Sequence, residues 1–271
     1  MKFIKKILNR IPFLFKTAKW LQFNVRKIFL GYRRYPGIPG RIHFNDRSLI
    51  KNNTLHYKAV GKSAVRFIES AVDQSGITLD DKSCILDFPC GYGRVLRYLK
   101  KKFPHAHVYG GDIDKEALDF CEKEFNIIPI PSNINFGKIK FPVLYNLIWV
   151  GSLFTHIDFK DFCELLKTLM ASLKEKGILV FTTHGKESLN KLNSYGLDNL
   201  NPDLIKHQIE KEGFCFQPYP GKSNYGISIS TQGFVMETMN QIFQNKVRFI
   251  FFKHKGWDQH QDVFAVQKMM I

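Results

Sequence analysis

The chain has 271 residues, a formal charge of +16 and an apolar fraction of 44% that includes 25 Phe and 10 Tyr. That is ample for one buried core of generous size and excludes a disordered polyelectrolyte. The five cysteines (Cys84, Cys90, Cys121, Cys163, Cys215) are odd in number and widely spread, with no Cys-x-x-Cys pair and no metal-ligand spacing, so a reducing, cytoplasmic setting without a bound metal is expected.

The charge is unevenly placed. Residues 1–35 hold ten Lys or Arg and no acid, which leaves +6 on the other 236 residues. Phe3, Ile4, Ile7, Leu8 and Ile11 fall at helical spacing, as do Leu14, Ala18, Leu21, Val25 and Ile28, with Pro12 between the runs. Residues 1–35 are therefore expected to form basic amphipathic helices. Uncharged runs fall short of the ~20 residues that cross a bilayer, and no small-residue cleavage site follows an apolar stretch. Three roles stay open: a lid packed on the body, a helix peripheral on the inner membrane face, or nucleic-acid contact. Confinement of the excess charge to this segment argues against a nucleic-acid-binding body.

Elements alternate from residue 36 onward. Pro36 to Asn53 is a turn-rich connection, followed by a helix over His56–Asp73 with Val60, Ala64, Phe67, Ile68 and Ala71 on one side. Cys84–Asp87 reads as a buried strand, and Val95–Leu99 opens a helix. Val108–Asp112 is a second strand. Asp114 caps a helix with Ala117, Leu118, Cys121 and Phe125 on its apolar face. Ile127–Ile130 and Val143–Val150 are the third and fourth strands. Asp158 caps a helix carrying Phe159, Phe162, Leu165, Leu166, Leu169 and Leu173, closed by Gly177, and Gly177–Thr183 is the fifth strand. This alternation implies βαβ crossovers and a parallel sheet. Gln232–Phe243 is a helix, and Val247–Lys253 and Asp262–Gln267 are two strands joined around Gly256. Residues 184–230 interrupt the pattern as an insertion, its Phe214–Gly221 portion suited to a lid or a small separate core.

The chemistry centres on Asp87-Phe88-Pro89-Cys90-Gly91-Tyr92-Gly93. A strand ending in a carboxylate runs through a glycine turn into a helix, exposing backbone N–H groups to a ligand's polar end. Asp112 follows about 20 residues later, the usual distance for a residue that grips a ribose. A dinucleotide site needs a third glycine where this chain has Leu96, which is too bulky. The pattern instead resembles motif I and the following acidic motif of class I S-adenosylmethionine-dependent methyltransferases. Pro89 replaces the family's usual first glycine and removes one N–H. Tyr145-Asn146 followed by the apolar run to Val150 is similar to the family's fourth-strand motif, with Asn146 in place of aspartate. The resemblance covers residues 55–183 and 231–270. It implies a doubly wound, Rossmann-like α/β fold with seven strands, mostly parallel, ending in an antiparallel hairpin.

The same resemblance implies S-adenosylmethionine as cofactor, held by Asp87, Pro89, Cys90, Gly91, Gly93, Asp112, Ile113, Gly151 and Ser152. Asp112 would meet the ribose diol, and Asp87 would orient the turn or meet the amino-acid end. It also implies a small-molecule or glycan hydroxyl acceptor. Donor and acceptor must be held in line about 3–3.5 Å apart, and a hydroxyl needs a base. His156, just past the fourth strand, is the first candidate, His184 the second and His260 the third. A structural, backbone-bonding His156 is the alternative. Tyr219 and Tyr225 are candidate walls of the acceptor site. A nucleic-acid methyltransferase and a non-catalytic scaffold of the same fold are the other readings, the latter suggested by Pro89 and Asn146.

Overall fold

The computed structural model describes residues 33–51, 54–189 and 202–270. The expected helices of residues 1–35 therefore lie almost wholly outside the described residues. The turn-rich connection forms a two-strand ribbon, β1 (Arg33–Arg34) with β2 (Arg41–Ile42), and a short helix α1 (Arg47–Lys51). Ile38 and Ile42 bury against Tyr57 and seat this ribbon on helix α2 (Thr54–Ser75).

The αβ repeat follows as β3 (Cys84–Asp87), α3 (Leu96–Lys102), β4 (His107–Asp112), α4 (Lys115–Phe125), β5 (Ile128–Pro131), β6 (Tyr145–Val150), α5 (Phe159–Ala171) and β7 (Leu173–His184). Asp114 and Asp158 cap α4 and α5, each accepting backbone N–H groups of the first turn. The insertion contributes α6 (Pro202–Glu212), β8 (Phe214–Pro218) and β9 (Gly226–Ser230), and the chain closes with α7 (Gln232–Phe243), β10 (Val247–Trp257) and β11 (Gln261–Lys268).

Seven strands form one sheet in the order β10-β11-β7-β6-β3-β4-β5. Only β11 runs against its neighbours. Side chains alternate between two cores along each strand. Ile85, Leu147, Trp149, Ile178 and Val180 face α2, α3 and α4, whereas Leu86, Ile148, Val150, Leu179 and Phe181 face α5 and α7. Burial on both faces explains why these strands read as unbroken apolar runs. The insertion has its own small core of Ile205, Ile209, Cys215, Ile227 and Ile229. Among the described residues no helix is long and apolar enough to cross a membrane.

Two expectations are corrected. Gly177 does not close α5, which ends at Ala171 with Ser172 as its C-cap. Gly177 lies inside β7, beside an irregularity where Lys176 takes φ 61°, and a Cβ there would meet the carbonyl of Tyr145 at 2.9 Å. The final hairpin does not turn at Gly256, because β10 runs on to Trp257 and the turn uses Asp258 and Gln259, both at positive φ. Asn146, which stands in place of the family's aspartate, lies at the start of β6 and not at its carboxyl end. It sits at the opposite end of the sheet, its Oδ1 accepting the Cys84 N–H at 2.9 Å where β3 begins.

Candidate active site

The carboxyl ends of β3, β4, β6 and β7 meet at one edge of the sheet, and the glycine turn lies between the first two. Its two glycines do different jobs. Gly91 (φ 49°) has open space where a side chain would stand, so a ligand can approach its backbone. Gly93 (φ 78°) instead packs under Phe125 and Cys121. Cys90 is buried, its N–H donating to Gly111 O at 2.9 Å, and the peptide before Pro89 is cis. Cys90 thus supports the turn from beneath.

Asp112 ends β4. Its Oδ2 accepts the Gly91 N–H at 2.8 Å and its Oδ1 accepts the Asp114 N–H at 2.9 Å. The carboxylate that the sequence suggests for the ribose therefore also holds the turn open, with further lone pairs on both oxygens. Ile113 beside it is 63% exposed, an apolar platform at the strand end. Asp87 is 1% exposed, and its Oδ2 has no hydrogen-bond partner among the described residues. Burial, and then the nearby Asp112 carboxylate, hold its carboxyl well above the usual range.

Sequence reasoning missed three features here, because each depends on contacts between segments remote in the chain. The Arg94 guanidinium lies 5.1 Å over the Trp257 ring, with no ion pair or side-chain hydrogen bond among the described residues. The indole of Trp257 packs against Gly151, where a Cβ would meet it at 3.0 Å. Ser152 takes φ 58°, a conformation that costs a non-glycine residue energy. Thr182 Oγ1 accepts its N–H at 2.9 Å, and Gln261 Nε2 donates to its Oγ at 2.8 Å. The antiparallel strand β11 thereby braces the loop after β6.

The acceptor side gathers three histidines. His156 is half-buried, its ring 6.0 Å from His184, which is 5.6 Å from His260. Among the described residues no group is placed to hold a metal ion. His156 Nδ1 is 2.8 Å from Gly226 O and 3.0 Å from the Tyr219 hydroxyl. A carbonyl only accepts, so Nδ1 carries the proton and Nε2 is the basic nitrogen. His184 is 2% exposed, and burial, then its two histidine neighbours, hold its imidazole well below the ordinary range. That makes it a poor proton acceptor. Tyr225 lies 5.3 Å from His156, ring to ring, and a bridge pairs it with Ile157. Tyr219 and Tyr225, from the insertion, thus cover the loop after β6.

The family described as a methyltransferase domain matches residues 85–177, the span from β3 into β7. Residues 85–177 are thus similar to the methyltransferase-domain family, and the fold is that of the class I S-adenosylmethionine-dependent methyltransferases. It is 27% identical over 159 residues to a malonyl-[acyl-carrier protein] O-methyltransferase of Halalkalibacterium halodurans, covering 55% of this chain and 56% of that one. The same-named protein of Acetivibrio thermocellus is 25% identical over 145 residues, covering 52% of this chain and 49% of that one. The chain thus spans about half the length of these curated relatives. An S-adenosylmethionine-dependent methyltransferase from Clostridium acetobutylicum superposes with a TM-score of 0.61 at 14% identity, over 84% of this chain and 99% of that one. The plantazolicin methyltransferase, in complex with a desmethyl analogue and S-adenosylhomocysteine, gives 0.55 at 13% identity, over 83% and 89%. These structural likenesses establish the fold.

S-adenosylmethionine is this family's methyl donor, and the residues present fit it. The open face over Gly91, the unpartnered buried Asp87 oxygen and the unpaired Arg94 offer a backbone approach, an acceptor and a cation around one turn. The raised Asp87 also makes a pH prediction. A carboxyl raised in the folded state carries no penalty below its unfolded value near 4. It loses stability as pH rises through the folded value. Asp87→Asn should therefore raise the melting temperature of the ligand-free protein at pH 7, with the gain vanishing toward pH 4. Thermal denaturation across pH checks this; an equal or lower melting temperature at pH 7 would refute it.

Proposed function

We propose that this methyltransferase transfers the methyl group of S-adenosylmethionine to an oxygen of a small-molecule or glycan acceptor held between His156 and the 184–230 insertion. One observation carries the reading: Tyr219 and Tyr225 of the insertion converge on His156, the Tyr219 hydroxyl 3.0 Å from its Nδ1 and the Tyr225 ring 5.3 Å from its ring. The insertion thus faces the candidate base directly. The names of the curated relatives, O-methyltransferases, support an oxygen acceptor.

When bound, the cofactor supplies a methyl carbon already electrophilic on its sulfonium. In this reading Asp112 accepts the ribose hydroxyls, Ile113 packs beside the base, Arg94 meets the carboxylate and Asp87 the ammonium group. Gly151 and Ser152 border the reacting centre. His156 Nε2 takes the proton from the acceptor hydroxyl, while Tyr219 and Tyr225 shield the acceptor from water. The basic residues 1–35, with ten cations and no acid, suit a segment that brings the enzyme to an anionic surface.

Calorimetry with S-adenosylhomocysteine tests the core of this proposal. Wild type should bind, and Asp112→Ala should bind about tenfold more weakly or worse, since a charge-assisted contact contributes roughly 1.5–3 kcal/mol. Unchanged affinity in a folded Asp112→Ala protein would remove Asp112 from the ribose, and no binding to wild type would favour the scaffold.

A further inference from the structure

On the sheet face opposite α5 and α7, α2 and α3 enclose a groove of about 560 Å³. Lys58, Lys62 and Arg66 line it at four-residue intervals, so they form one stripe on α2 about 12 Å long. Lys101 and Lys102 stand on the α3 wall. The acid among the lining residues, Glu69, is neutralised by an ion pair with Lys102. Lys58, Lys62, Arg66 and Lys101 make no ion pair among the described residues. Tyr98 also lines the groove; it is 6% exposed, and its buried hydroxyl has no partner among the described residues. Gly37 and Pro39 of the connection line the same groove.

We propose that this groove is a docking surface for the anionic head groups of a lipid membrane. The cations are spread over more than one phosphate's width, which suits an array of charges better than one small metabolite. Leu55 decides between an array of lipids and a nucleic acid. It precedes Lys58 by three residues on the same stripe and is 75% exposed. An apolar tip beside cations gains from a surface that has hydrocarbon beneath its phosphates, and a nucleic-acid backbone has none there. The apolar periodicity of residues 3–28 among their cations extends the same chemistry along the chain.

The test uses the full chain, with sedimentation of vesicles made from phosphatidylglycerol and phosphatidylcholine in equal parts or from phosphatidylcholine alone. Wild type should bind the anionic vesicles and release as salt rises. Each cation near such a surface contributes about fivefold, so Lys62→Gln, Arg66→Gln and Lys101→Gln together should weaken binding by about a hundredfold. Circular dichroism and the melting temperature should stay those of wild type. A Leu55→Ser protein should bind the same vesicles measurably less. Equal binding by a folded triple variant, equal binding to both vesicle types, or none by wild type overturns the proposal. Saturable binding of glycerol phosphate that displaces the protein from vesicles would reassign the groove to a soluble phosphate ligand. Binding of duplex DNA at physiological salt, lost in the triple variant while vesicle binding persists, would reassign it to nucleic acid.

Discussion

His156→Ala is expected to lower kcat by about 10²–10⁴ while S-adenosylhomocysteine affinity stays near that of wild type. The geometry behind this is local. The Gly226 carbonyl holds Nδ1 at 2.8 Å, which fixes the tautomer and keeps Nε2 as the basic nitrogen. The alternative base, His184, is buried and disfavoured as a cation. Loss of the imidazole should also remove the acidic limb of the pH–rate profile, because that limb reports protonation of the base. His156→Gln separates positioning from proton transfer. If kcat survives in Gln but not in Ala, the residue holds the Gly226 loop and takes no proton. An acceptor that reacts as a carboxylate needs no base, so an unchanged kcat in His156→Ala would point to a carboxyl oxygen and sink the hydroxyl assignment.

The second large effect concerns stability and falls on Arg97. Its side chain is 1% exposed and donates four hydrogen bonds to backbone carbonyls: Gly93 at 2.9 Å, Pro39 at 3.0 Å, Arg41 at 3.1 Å and Tyr92 at 3.2 Å. The guanidinium also faces the rings of Phe125 and Tyr57 at 4.9 and 5.5 Å. One cation thus ties the residue 36–42 connection to the glycine turn. Arg97→Met keeps the length but strands these carbonyls, at a cost of about 3–5 kcal/mol. For a chain of this size that lowers the melting temperature by about 10 °C. Arg97→Lys should recover little, since an ammonium cannot present the planar fork of donors that reaches four carbonyls. A fall under about 2 °C in Arg97→Met would show that the connection is held by its apolar contacts alone.

Arg97 also marks where sequence reading ends. It lies inside an apolar helical pattern and looks like an exposed member of it. Only the approach of residues 39 and 41, more than fifty positions upstream, makes it a buried staple. The hairpin turn is similar. Gly256 is the residue whose backbone is freest to turn, but cross-strand pairing continues to Trp257 opposite Gln261 and puts the reversal at Asp258 and Gln259. Ladder formation outweighed the local preference.

The sequence by itself determined what depends on short range. Strand, carboxylate, glycine turn and helix are adjacent in residues 84–99, and Asp114 and Asp158 cap the helices they directly precede. Apolar runs buried on both faces of a parallel sheet leave an unambiguous trace. Tertiary structure alone decided which groups share a site. It brought β11 beside β7, so that Gln261 and Thr182 brace Ser152, and laid Trp257 under Arg94. It also folded residues 214–230 back onto the loop at His156, so that Tyr219, Tyr225 and three histidines face one another. The physical reason is that side-chain periodicity records which face a residue buries, whereas the partner on that face is chosen by sheet order and loop packing across the whole chain.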